Sequence, residues 1–593
     1  MSARPIAAWL LILAAWGCQS TPPSGGPAAD DAAAGLDDPQ ALLDAAAGAS
    51  SSRSSRLYLE AAEQLLNDGS IATAATALEQ VEPARLGRQE TARYLLARAG
   101  VALAQGDLDT ADAALAALEP RQLREPMNAV LLQAYLLARQ GRPAAAVRVL
   151  VDHASARGDV EPTAAGQRLN DAIWSGLGQV PAFEFLAPSA LESEPARGWW
   201  LLKAQMLQSF TLADQRRRLA SWQQAWPQHP AALQPPTALL SLGEVAMPVR
   251  RVGLLLPLSG PLSRAGRAVR DAFIATYLSH ADDVAFEVDI YDVTAEPLAT
   301  IYERALVNGA DVLIGPLSRE SVAQMNQLNP EVPVLALNYL GDELPAPNLL
   351  QLGLAIEDEA ATLARWLNDR GAGRLLVFHN DEEWSTRAMQ AVARDWKDAI
   401  DVQALRDIRT VTESVGAAMH VTASRQRRSD LEELLRQDLE FQPRARGDVD
   451  AIVALVSSVE VGALVPALRF HFAQGVPVFA TSQTVRGVPR QQLANLNGFH
   501  LSELPWFVVD IDSYRTMNDA FALDGNAFVS LYALGVDAFR LAERAPLILA
   551  GSFNELLGST GVLQFAANGR INRSLARTVV RRGTLEAVSA SSR

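Results

Sequence analysis

Between residues 41 and 240 apolar side chains recur at the three-and-four spacing of amphipathic helices, and a repeat is visible within them. Aligned on Gly69, Gly106 and Gly141, the copies carry alanine seven positions earlier (Ala62, Ala99, Ala134) and five positions later (Ala74, Ala111, Ala146). Leucine stands nine positions later, at Leu78, Leu115 and Leu150, and the first two copies end alike in Glu82-Pro83 and Glu119-Pro120. Glycine enters the left-handed region cheaply and so ends a first helix; alanine lets a second helix cross it closely. The spacing therefore predicts stacked helical hairpins. Further helices are expected in GWWLLKAQMLQSF and RRRLASWQQAWPQHP, until Pro227, Pro230, Pro235 and Pro236 break the run and mark a domain boundary.

From Arg250 the pattern changes to short apolar runs separated by amphipathic stretches. Val252 to Leu256 opens the series, followed by a helix with Val269, Ala272, Phe273 and Thr276 on one face. FEVDIYDV, DVLIGPL and VPVLALN continue it. A second round runs through RLLVFHN, a helix from Ser385, DVQALRDI, DAIVALVSS, VPVFATS and GFHLSELPW. Strands alternating with helices predict parallel sheets covered on both faces, and two rounds of this size predict two lobes. NAFVSLYALGVDAFRLAER and TGVLQFAANGRINRSLARTVVRRG must pack on one lobe or the other.

Composition narrows the function classes. The 593 residues hold 52 basic and 67 acidic side chains, a net charge of −15, which argues against a nucleic-acid partner. Lys203 and Lys397 are the only lysines, a bias that carries no functional reading. A single cysteine excludes an intrachain disulfide and a thiolate metal cluster.

That cysteine, Cys18, directly follows Arg4 and the apolar stretch IAAWLLILAAWG, too short to span a bilayer. A charged start, an apolar segment and a closing cysteine resemble a bacterial lipoprotein signal, which implies cleavage of residues 1–17 and lipidation of Cys18. The residue after it is Gln19, which points to the periplasmic face of the outer membrane. Residues 19–40, QSTPPSGGPAADDAAAGLDDPQ, have almost nothing to bury and read as a tether reaching at most about 75 Å.

Candidate chemistry is sparse. LSGPLS (258–263) and GPLS (315–318) place hydroxyls and backbone N–H groups where strands give way to helices, a geometry that favours an anionic group of a small ligand. Ser259, Ser263, Ser318 and Asn338 are the cleft candidates this reading offers; helix capping by Ser263 and Ser318 is the plainer alternative. No GxSxG, GxxxxGK, HExxH or GxGxxG occurs, and no two of the 7 histidines stand at metal-ligand spacing. No catalytic residue, metal ligand or cofactor is assigned. Glu357-Asp358-Glu359 and Asp381-Glu382-Glu383 open predicted helices, where negative charge offsets the macrodipole. Arg425, Arg427 and Arg428 read as a solvated helix end or a docking patch.

The helical repeats resemble the tetratricopeptide plan. Over nearly its whole length, and most strongly over residues 250–580, the mature chain resembles the penicillin-binding protein activator lipoproteins, the LpoA (LppC) family of Gram-negative bacteria. VGLLLPLSGPLSRAGRAVRDAF (252–273), VLIGPLSRESV (312–322), PVLALN (333–338) and IEDEA (356–360) carry the likeness, with RARGDVDAI (444–452), PVFATSQT (477–484) and LPWF (504–507). LYALGVDAFRLA (531–542), TGVLQFAANGRINR (560–573) and, in the helical part, WPQHPA (226–231) complete it. The resemblance implies an all-α tetratricopeptide-like domain (41–240) followed by a two-lobed α/β domain of the type I periplasmic-binding-protein fold (249–593). Lobe one would take about 249–350 and 508–558, lobe two about 351–507 and 559–585, with crossings at 349–354 and LPWF.

It further implies a non-catalytic outer-membrane regulator that binds a bifunctional, class A penicillin-binding protein and stimulates its transpeptidase activity in peptidoglycan synthesis. The alternative is a solute-binding receptor whose cleft holds an amino acid or a peptidoglycan fragment.

Overall fold

The structure, a computed structural model, describes residues 38–118, 126–157, 162–186, 193–240 and 248–588, apart from 342, 552 and 567. Segment 1–17, Cys18 and the tether up to residue 37 lie outside the described residues. Two compact units form. Of the described residues, one takes those up to Pro181 with 193–203 and Ser221–Leu240; the other takes 182–186, Ala204–Ala220 and 248–588.

The first unit is helical. Ser51–Asn67 pairs with Ile71–Glu79, Arg88–Gln105 with Leu108–Ala116, and Pro126–Arg139 with Pro143–Arg157. Gly69, Gly106 and Gly141 sit between the partners at φ of 76°, 84° and 76°, the left-handed turn the repeat predicts. Ala62, Ala99 and Ala134 have no exposed surface, and Ala74, Ala111 and Ala146 have at most 1%. Successive hairpins stack through their first helices so tightly that a Cβ on Gly100 would lie 2.8 Å from Leu66. Beyond the hairpins, His229 sits among Trp199, Trp222 and Trp226, at ring-centroid distances of 5.2, 4.9 and 6.1 Å. Its Nδ1 accepts from the Ala231 N–H (3.1 Å) and its Nε2 lies 2.9 Å from the Pro195 carbonyl.

The second unit is built on two parallel sheets. The first has the order β2-β1-β3-β4-β5, from β1 (Arg251–Leu256), β2 (Glu287–Asp292), β3 (Val312–Ile314), β4 (Val334–Ala336) and β5 (Leu349–Gln351). The second begins with β6 (Arg374–His379), β7 (Ala399–Ala404), β8 (Ala451–Leu455), β9 (Val478–Thr481) and β10 (His500–Glu503), in the order β7-β6-β8-β9-β10. The winding is the same in both. A short antiparallel sheet of β11 (Glu555–Leu557), β12 (Val562–Phe565) and β13 (Ile571–Ser574) follows. The chain then adds β14 (Ala576–Arg581) and β15 (Thr584–Ala587) antiparallel to the β10 edge of the second sheet.

Burial follows the strand period. In β6, Leu376 and Phe378 join the core on one face while Leu375 and Val377 join that on the other. Helix Ser263–Ser279 buries Val269, Ala272, Phe273 and Thr276, as its spacing predicts, and packs along helix Val529–Ala542. The helix expected from Ser385 starts two residues earlier, at Glu383, and Ser385 lies buried within its first turn, its Oγ donating to the Leu455 carbonyl at 2.6 Å.

Candidate functional site

In each sheet the winding reverses direction between two neighbouring strands, β1 and β3 in the first and β6 and β8 in the second; such switch points leave a crevice beyond the strand ends. The loops after β1, β3 and β4 carry the candidates read from sequence. Ser259 is exposed, and its Oγ hydrogen-bonds the Thr294 hydroxyl. Behind it Asp292 accepts from Leu258 N (2.9 Å) and from Thr294 Oγ1 (2.6 Å). Burial opposes ionisation of Asp292, but these bonds outweigh it and hold the carboxyl well below the usual range. Ser263 opens its helix without capping it, since Leu262 occupies the N-cap position. Ser318 does cap: its Oγ accepts from Ser321 N at 3.1 Å. Asn338 spans the loops after β3 and β4, donating to the Leu317 carbonyl (3.0 Å) and accepting from Tyr339 N (3.0 Å).

The matching position in the second sheet holds a polar group that the sequence reading passed over. Asn380 Nδ2 donates to Glu460 Oε1 (3.3 Å), and Ser457 N donates to Glu460 Oε2 (2.8 Å). The signal was present: Ser457-x-x-Glu460 is a capping-box spacing directly after an apolar run.

Where the chain passes between the sheets, a buried ionic clasp ties distant segments together. Asp358 and Glu359, read from sequence as helix-opening charges, are its acids. Asp358 pairs with Arg573 (3.3 Å), whose Nη1 donates to the Thr560 carbonyl (2.9 Å) and whose Nη2 donates to that of Ala355 (3.3 Å). Arg570 stacks on the Tyr339 ring at 3.8 Å, and Tyr339 Oη donates to the Ile571 carbonyl (2.9 Å). Glu359 accepts from Ser482 N (2.8 Å) and Ser482 Oγ (2.9 Å). Burial raises the pKa of both acids against the pull of the arginines, and burial with the nearby Asp358 raises Tyr339 to about 12. Gln351 N also donates to the Gly569 carbonyl (2.9 Å), and Arg570 bridges Gln351, so segment 569–570 lies along β5 at the edge of the first sheet.

A second buried cluster involves segment 204–220 of the same unit. Arg544, with no exposed surface, donates to the carbonyls of Phe210 (2.7 Å) and Arg540 (2.6 Å). Burial lowers its pKa to about 10. Arg540 pairs with Asp510 (2.8 Å) and Asp537 (3.3 Å) under the Phe210 ring, 3.8 Å away. A cavity of about 490 Å³ opens beside Phe210, Asp510 and Arg540, and one of about 70 Å³ beside Ser482, Glu503 and Tyr514.

These groups bind one another. Ser259, Asp292, Ser318 and Asn338 at the first switch point, and Asp358 and Glu359 in the clasp, find partners within the chain. Among the described residues no group of three His, Cys, Asp or Glu is placed to hold a metal, and no helix is long and apolar enough to cross a membrane.

The solved structure of LpoA from Haemophilus influenzae superposes with a TM-score of 0.54 over 93% of this chain and 98% of that one, at 20% identity. The fold expected from sequence, an all-α N-terminal region before a two-lobed periplasmic-binding-protein-like domain, is the one found. A protein of Vibrio antiquarius (strain Ex25) named penicillin-binding protein activator LpoA is 26% identical over 439 residues, 70% of this chain and 72% of its own length. Its namesake in Vibrio cholerae (strain ATCC 39541) is 26% identical over 426 residues, 69% of this chain and 70% of its own length. Residues 34–583 match the family described as LppC putative lipoprotein, and the chain belongs to that family.

Proposed function

We propose that this chain is a lipid-anchored protein of the outer membrane that reaches through the periplasm to a penicillin-binding protein and stimulates peptidoglycan cross-linking. It makes and breaks no bonds itself. The observation that carries this reading is membership of the family over residues 34–583, with relatives that bear the name of penicillin-binding protein activator. The partner is a class A, bifunctional synthase, and the transpeptidase step is the one accelerated. An activator shifts its partner's equilibrium only by binding the active state more tightly than the inactive one, so a rigid outer surface suffices.

Cys18 is the lipidated residue, residues 18–40 the anchor and tether, 41–240 the helical spacer and 249–593 the head. Lobe one takes about 249–350 and 508–558, lobe two about 351–507 and 559–585. The test is cross-link formation by a purified class A synthase with and without residues 19–593; unchanged cross-linking refutes activation. Cys18→Ser yields soluble periplasmic protein, and sedimentation of that variant with outer membrane refutes the anchor.

A second reading, a receptor for an amino acid or a peptidoglycan fragment, rests on the position of Ser259, Ser263, Ser318 and Asn338 beside a switch point. Calorimetric titration with such compounds separates it from the first.

A further inference from the structure

In the second lobe, helix Val421–Leu435 covers almost nothing. Of its 15 residues only Val421 is buried, while Leu431, Leu434 and Leu435 are 48%, 78% and 53% exposed. At about 100° per residue these leucines fall within one arc of the helix, with Arg427 one turn upstream on the same side. The chain then folds back along it: Leu439 N donates to Glu432 Oε1 (2.9 Å), and Arg428 lies over the Phe441 ring at 5.6 Å. Arg446 fastens the base through ion pairs to Asp448 (2.7 Å) and Asp401 (2.8 Å). Residues 421–446 are thus a projecting arm, held at its root and bare along one face.

Three further observations set the arm apart. His420 before the helix and Arg436 after it both take positive φ, 59° and 50°, conformations that non-glycine residues adopt at a cost and that gather at functional surfaces. Arg425 stacks at 5.7 Å on Phe470, which is itself exposed. Arg425 and Arg427 form no ion pair among the described residues, although acids outnumber bases in the chain. The acids nearest in sequence are taken or turned away. Asp430 accepts from Gln426 (2.8 Å), Glu432 accepts from Arg428 (2.8 Å), and Glu433 points about 200° around the helix from Leu431.

Arginine is among the residue types that carry binding energy at protein interfaces, and a contiguous exposed leucine stripe beside it marks an interaction surface. Its complement is an apolar patch with carboxylates, because an arginine gains most against a carboxylate it can fork. An anionic lipid surface fits less well, since the unpaired arginines number two, Arg425 and Arg427, where a lipid-binding segment carries a cluster of about four to eight basic residues.

We propose that this arm is the docking element through which the chain engages its penicillin-binding protein, on an acidic patch that carries apolar side chains. The proposal rests on the function given above. The experiment measures binding of the full-length lipoprotein in detergent to an immobilised class A synthase, for four forms of the protein. These are wild type, the pair Arg425→Glu/Arg427→Glu, Leu434→Asn, and Leu344→Asn as an exposed control in the first lobe. The expected result is that the arginine pair and Leu434→Asn each weaken binding about tenfold or more, with circular dichroism and melting temperature unchanged and the control at the wild-type value.

If wild type does not bind, the function itself fails. If wild type binds and both arm variants bind within twofold of it, the arm is not the docking element while the function stands. Loss of self-association or of flotation with phosphatidylglycerol vesicles, with synthase binding intact, also overturns the proposal in favour of a second copy or a lipid surface.

Discussion

Helices Val529–Ala542 and Val421–Leu435, of 14 and 15 residues, have opposite surroundings. In the first, Ala533 to Ala542 are buried without a break, and Gly535 meets helix Ser263–Ser279 so closely that a Cβ would lie 2.4 Å from the Val269 carbonyl. Its charges are interior ones: Asp537 has no exposed surface and Arg540 has 3%. In the second helix the charges face water, a neighbouring loop or, for Arg425, the exposed ring of Phe470. A helix apolar all round is a core element, and one polar all round needs some other reason to exist. Isolated helices of this length are marginal in water, so a bare helix held only at its root is retained for what it meets.

The largest expected effect tests the interior half of this contrast. Asp537 accepts from Ser559 N (2.6 Å), Thr560 N (2.8 Å), Thr560 Oγ1 (2.6 Å) and Arg540. Asp537→Ala leaves these donors buried and unpaired, and destabilises the second unit by about 3–5 kcal/mol in denaturant unfolding. A loss below about 1 kcal/mol would show that water replaces the carboxylate and that the helix is less enclosed than its burial indicates.

That difference also marks how far sequence reasoning reached. Periodicity located the repeat glycines, every strand in the parallel part of both sheets except β5, and the buried face of helix Ser263–Ser279, because each is set by local spacing; β14 and β15 at the edge of the second sheet were not read. NAFVSLYALGVDAFRLAER was legible as a packed helix, but nothing local assigns Asp537 to Ser559 and Thr560. The clasp was hidden for the same reason. Glu357-Asp358-Glu359 has the look of ordinary helix-opening acid, yet Asp358 finds Arg573 more than 200 residues away. LLQLGL, read only as a crossing, also supplies β5, and TGVLQFAANGRINR forms β12 and β13, an antiparallel piece that no alternation of strand and helix announces. Of the cleft candidates, Ser318 also caps its helix and Asn338 also bridges the loops after β3 and β4. The arginine run at 425–428 was visible, but its exposure and the leucines beyond it depend on what fails to pack there.

A buried titratable group in the first unit gives the next effect in size. Desolvation among the tryptophans lowers the His229 pKa from 6.5 to about 4, against the favourable Pro195 carbonyl. The unfolded chain takes up this proton near pH 6.5 and the folded chain only near 4, so stability is full above 6.5 and falls as pH drops between those values. The loss approaches roughly 3 kcal/mol. Denaturant midpoints of the first unit between pH 7 and 4.5 should fall for wild type and flatten in His229→Gln. Parallel slopes for the two proteins would place the proton elsewhere.

The smallest effect belongs to the arm, and its smallness is the point. Leu434 is 78% exposed, so Leu434→Asn removes little buried surface and should shift stability by no more than about 0.5 kcal/mol. Glu432→Gln gives up the solvent-screened pair with Arg428, at 2.7 Å, and leaves the denaturant midpoint nearly unchanged. Hydrogen exchange along 421–435 should be fast in both variants and in wild type, in contrast to full protection along 529–542. Slow exchange in the free wild-type arm would mean that it is already covered within the chain, and the contrast between the two helices would be lost. Protection that appears only when the synthase is added would locate the missing contacts on the partner, since a helix that buries one residue alone gains its order from what it binds.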